Sequence, residues 1–252
     1  MGRQMRSVTA FYALVLILSL PFWLVGPVFD RLLHIPLQLP VSALMAVVPG
    51  LAALILVARA GGGQGLRVWW EGMARRPPVV WAACALGIEA AVVLGAWVVA
   101  QRMGLTPPGI EPTPVVAALV LAPVFLVSAF TEEVGWQGFA APRLIPRIGA
   151  LGSALLIGAV WGLWHVLPFL QAGRGAEWIA WQVAQSLALR LVLFQLWARS
   201  GSIWPAVLAH AAYNLCVFLL PGYGAAYDPA TTTLTTAVAA AALWTWPRRG
   251  QA

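Results

Sequence analysis

Three glutamates and two histidines of this chain, Glu89, Glu132, Glu133, His165 and His210, sit inside otherwise apolar runs, accompanied by Asn214, Gln182, Gln185, Ser186 and Arg190. Ionisable groups in such surroundings are costly and mark functional positions by default. The other acids, Asp30, Glu71, Glu111, Glu177 and Asp228, and the remaining histidine, His34, fall between the runs and need no such explanation. His210 and Asn214 stand at i, i+4, so a helix presents both on one face. Glu132 precedes the Pro146–Gly149 segment by about 16 residues and His165 follows it by about 16, so a hairpin turning there sets the two at similar height. His210 and Asn214 lie roughly 12–18 Å into a run that starts on the same side. Two carboxylates, two histidines and an amide thereby converge in one layer from three helices.

That set suits the hydrolysis of a peptide bond. A carboxylate can take a proton from water while His and Asn side chains stabilise the developing oxyanion. No Ser or Cys lies beside a His as a nucleophile; Cys216 is six residues past His210, off its face. Glu132, His165 and His210 also have the composition of a two-histidine, one-carboxylate zinc site, although no HExxH is present. The cofactor is left open between none and a zinc ion. Each residue alone has a plainer reading, since a single buried His bonded to a carbonyl is common. The five together are what that reading explains poorly.

The elements that must position these groups are membrane helices. Of 252 residues, 61% are hydrophobic and 9% charged, with mean hydropathy +0.84, against about 25% charged in soluble domains. Such a chain cannot cover a soluble surface, which excludes a cytosolic globular enzyme, a disordered chain and a nucleic-acid module. Eight apolar runs are long enough to span a bilayer: 9–28, 41–58, 79–101, 115–140, 150–170, 178–198, 202–220 and the weakest, 230–246. The expected fold is all-α, a polytopic bundle of about eight transmembrane helices forming one integral membrane domain over 1–252. The net charge of +7 comes from fifteen arginines and no lysine, placed between the runs rather than as a polyanion-binding face. With a cytoplasmic N-terminus, eleven arginines fall inside and only Arg31, Arg102 and Arg174 outside, with Arg190 within a run. That asymmetry predicts both termini in the cytoplasm of a cell-membrane protein. Cys84 and Cys216 make no metal spacing or disulfide framework.

The run Glu132-Glu133-Val134-Gly135-Trp136-Gln137-Gly138, then Trp161-Gly162-Leu163-Trp164-His165, then His210-Ala211-Ala212-Tyr213-Asn214 resembles the three motifs of the CPBP family. These are intramembrane endopeptidases of the CAAX-protease and bacteriocin-processing group, relatives of the type II CAAX prenyl protease. The resemblance covers a core of 115–220. It implies that Glu132 activates water with His165, and that His210 and Asn214 hold the oxyanion. The family carries a metalloprotease label, and a metal-free glutamate mechanism is also argued for it. The chain departs from the pattern at Gln137, where the family's first motif has an arginine that could pair with Glu133. Arg190, on one stripe with Gln182 and Ser186, offers a replacement unless it pairs with Glu89 or snorkels toward the cytoplasmic end. The implied activity is cleavage of a membrane-associated peptide or protein, prenylated proteins being one option in the family, in contact with membrane lipid. An impaired relative acting as a scaffold or immunity-type protein, and an ion-coupled transporter, are the alternatives. Glu132, His165, His210 and Asn214 should face one cavity open toward the cytoplasmic half.

Overall fold

The computed structural model describes residues 2–33 and 40–247, with backbone alone at 2–5, 31 and 33. His34, Arg248 and Arg249, and the side chains of Arg3 and Arg31, lie outside the described residues. All regular structure among the described residues is helical. The helices are α1 (Gly2–Leu33), α2 (Val48–Met73), α3 (Val79–Arg102), α4 (Ala117–Gly135), α5 (Ala141–Trp164), α6 (Val166–Gln171), α7 (Ala176–Ser200), α8 (Trp204–Leu219) and α9 (Pro229–Thr245). A 3-10 turn, Val41–Val47, leads into α2, and a π-helical turn, Trp136–Ala140, joins α4 to α5.

Five stretches are long and apolar enough to cross a membrane: Arg6–Asp30, Val41–Met73, Val79–Arg102, Ala117–Gln171 and Ala176–Ser200; Trp204–Leu219 is a shorter apolar helix. The fourth stretch holds two of the runs seen in the sequence, divided at Gly149. That glycine adopts φ 70°, ψ 175° inside α5, a conformation that L side chains rarely take. Gly62 breaks α2 in the same way and sets off a segment carrying Arg67, Glu71 and two tryptophans. Large apolar side chains stand outward, among them Leu24, Val79, Leu119 and Val238, each more than two-thirds exposed. Water would not tolerate that surface, and lipid requires it. The protein is an integral membrane protein.

Helix α7 has the lowest hydropathy of the five spans and is the most enclosed. It packs on α5, α8 and α9, while α8 packs on α3 and α4, and α2 on α4. Glycines allow two of these approaches. A Cβ on Gly135 would lie 2.6 Å from the Pro49 backbone, and one on Gly50 would lie 2.7 Å from the Thr131 carbonyl. Gly158 and Gly162, four residues apart on α5, face the backbone and Cβ atoms of Val183, Ser186, Leu187 and Arg190 on α7. This is the small-residue stripe by which membrane helices approach closely. On α9, Asp228 caps the Thr231 amide at 2.7 Å, and the hydroxyls of Thr232, Thr233 and Thr236 donate to carbonyls four residues back. These bonds let a threonine-rich helix enter an apolar bundle.

The bundle has two chemically different ends. At one, the Ser202 hydroxyl donates to the Arg75 carbonyl and the Arg199 guanidinium to the carbonyls of Leu243 and Trp246. The Trp69 indole donates there to Gly138 O. At the other, the Val41 amide donates to Asp30 and the Thr113 hydroxyl to Leu220 O.

Candidate active site

Glu132 and Glu133 lie in the last turn of α4 and point to different neighbours. The buried Glu132 accepts N–H from the indoles of Trp161 at 2.6 Å and Trp136 at 3.4 Å, both through Oε2. Its Oε1 has no protein donor among the described residues. Glu133 is fully buried and bidentate: Oε2 accepts from Arg190 Nη1 at 2.6 Å, and Oε1 faces His210 Nδ1 at 3.0 Å. Arg190 also lies over the Trp161 ring, 4.4 Å from its centroid. The glycine stripe of α5 admits α7 closely enough for this guanidinium to reach α4.

His165 follows α5 and donates Nδ1–H to the Trp161 carbonyl at 2.8 Å, a direction settled because a carbonyl only accepts. Its Nε2 is therefore the lone-pair nitrogen of the neutral ring. The Trp161 ring touches both imidazoles, with centroids 5.6 Å from His165 and 5.1 Å from His210. Asn214, one turn beyond His210, has no side-chain hydrogen bond among the described residues.

Glu132, His165, His210 and Asn214 all line one cavity of about 750 Å³, together with Trp161, Gln182, Gln185 and Ser186. Tyr213 and Tyr227, bonded through their hydroxyls at 2.8 Å, lie along it, and Tyr227 donates onward to Gln182 at 2.7 Å. The cavity runs outward along α4 through Ser128 and Val124 and along α8 through Val217, to loops carrying Arg174 and Tyr223. The sequence predicts a mouth on the arginine-rich side, but among the described residues the cavity lining extends toward the opposite end. On that side Phe11, Trp136 and Phe139 are packed together and buried, and the Ser202–Arg75 bond ties adjacent turns. On the far side the described walls are Pro40 with the short Val41–Val47 turn, the Pro168–Arg174 region with Trp178, and loop residues 223–227.

Arg190 pairs with Glu133 and not with Glu89, which is fully buried and has neither oxygen bonded among the described residues. Gln137 is also buried without a partner there, and nothing in the structure explains its amide. The two indoles that hold Glu132 were not anticipated. Their signal was present in the helical spacing: Trp136 is one turn after Glu132, and Trp161 one turn before His165.

A zinc centre does not fit this arrangement. Among the described residues no three His, Cys, Asp or Glu side chains are disposed to hold a metal ion. The metalloprotease label finds no support here.

A family model described as Rce1-like type II CAAX prenyl endopeptidase matches residues 114–216. That segment contains all three motifs and every residue named above as catalytic, so the CAAX-protease-like character of this part of the chain is shown, and the family is one of proteases. No curated protein matches the chain.

Proposed function

We propose that the protein is an intramembrane endopeptidase that hydrolyses a peptide bond of a membrane-associated polypeptide at Glu132. The observation that carries this reading is one cavity lined by Glu132, His165, His210 and Asn214 above a buried Arg190–Glu133–His210 chain. A bound water gives its proton to the Glu132 carboxylate as its oxygen attacks the scissile carbonyl carbon. His165 Nε2, the acceptor nitrogen, orients that water. His210, held through Nδ1 by Glu133, stands beside the Asn214 amide, and the two stabilise the oxyanion. As the C–N bond breaks, Glu132 returns its proton to the leaving nitrogen, releasing an amine and a carboxylic acid.

The two indoles hold one Glu132 oxygen and leave the other for water. Gln137 does not leave Glu133 uncompensated, because Arg190 supplies a cation from another helix. The full chain in this proposal is an eight-span bundle in the cell membrane with both termini cytoplasmic, as its arginine placement suggests.

The test is Asn214→Ala in the full chain, reconstituted with a membrane-anchored peptide library. Loss of one oxyanion donor should lower kcat by about 10²–10³ with little change in thermal stability. Undiminished turnover would remove Asn214 from the mechanism.

A further inference from the structure

The cavity and most of the arginines lie toward opposite ends of the molecule, and this bears on which substrates can reach the site. At the closed end stand Arg75 and Arg199 with seven other described arginines and a single acid, Glu71. The open end carries Arg31, Arg102 and Arg174 against four acids, Asp30, Glu111, Glu177 and Asp228. Arginine and lysine in short loops are retained on the cytoplasmic side, and acids contribute little to that choice. The loops here are short, and nine against three is a large bias.

Resting on the peptidase reading, we infer that the catalytic cavity opens to the non-cytoplasmic side of the membrane. The substrate is then a membrane-anchored polypeptide whose scissile segment lies in the non-cytoplasmic half of the bilayer. Three features agree with that placement. The residues along the cavity belong to the ends of α4, α5, α7 and α8 remote from Arg75 and Arg199. Toward the other end, the buried Phe11, Trp136 and Phe139 block a route from the cytoplasm. Laterally, the wall between the Val41–Val47 turn and α4 is formed by Leu44, Val47, Val124 and Val127, all substantially exposed on the lipid-facing surface. An inserted segment can enter from lipid there without its apolar side chains crossing water. A soluble cytoplasmic protein presenting its C-terminal tail has no route to Glu132 in this orientation.

Thiol accessibility tests the inference without a known substrate. Single cysteines are placed in the full chain lacking Cys84 and Cys216, at Gly175 on the open end, Ala74 on the closed end and Val217 within the cavity. A small, charged, membrane-impermeant thiol reagent is applied to right-side-out spheroplasts and to inside-out vesicles, using variants that retain the parent's thermal stability. Gly175→Cys and Val217→Cys should react in spheroplasts, and Ala74→Cys only in inside-out vesicles. Reaction of Ala74→Cys in spheroplasts, or failure of Val217→Cys to react there, overturns the inference. These outcomes do not depend on catalysis, so a failed peptidase reading, seen as no cleavage of the membrane-anchored peptide library by the reconstituted wild-type chain, is distinguished from a wrong orientation.

Discussion

Glu132 and Glu133 are adjacent carboxylates with different surroundings, and the difference lies in what each oxygen touches. Glu132 keeps one oxygen toward the cavity, whereas both Glu133 oxygens are occupied by Arg190 and His210. Glu133 is thus buried against His210 and Arg190 and, in the proposed mechanism, positions His210. Removing one member of a buried ion pair costs about 3–5 kcal/mol, because the remaining charge is left without a partner. Arg190→Ala should therefore lower the detergent-solubilised Tm sharply. Adding Gln137→Arg, one helical turn from Glu133, should recover much of that loss. A double variant no more stable than Arg190→Ala would show that position 137 cannot replace the α7 guanidinium. This pairing was legible in the sequence as one of two options, since only Arg190 among the arginines lies in a run. The indole clamp on Glu132 was not, because tryptophans in membrane helices read as packing until a carboxylate is seen against their N–H.

At the level of elements, the site depends on how closely α5 and α7 approach. The Gly158–Gly162 stripe is what brings Arg190 to α4 while keeping Trp161 over both histidines. A Cβ on Gly162 would already lie 3.1 Å from Ser186 Cβ and 3.2 Å from the Val183 carbonyl. Gly162→Val should cost about 1–3 kcal/mol by overpacking and reduce activity as the α7 guanidinium withdraws. Gly87→Ala, with no atom within 4 Å of the added Cβ, should stay within about 0.5 kcal/mol of the parent. Equal Tm values for the two variants would show that the α5–α7 contact has room to yield. The helices themselves were readable from apolar runs, and the turn near Gly149 from its Pro and Gly residues. Which helices pack together was not. α5 rests mainly on α7 rather than on its neighbour in the chain, α4, and hydropathy carries no pairwise information.

For the whole molecule, the three motifs foretold one shared site, and the four residues do line one cavity. The direction of the mouth was not legible, because depth arithmetic along each helix cannot show where helices splay or where aromatic side chains close an end. The all-α bundle, the cavity and the Rce1-like segment at 114–216 together lead to a single chemical claim, that Glu132 is the base that activates water. The most direct measurement compares wild type with Glu132→Gln, both reconstituted as the full chain with a membrane-anchored peptide substrate and matched for thermal stability. Glutamine preserves shape and an oxygen for the indoles while removing the proton acceptor. The account predicts a fall in turnover of about 10²–10⁴, and cleavage by Glu132→Gln at the wild-type rate would contradict it.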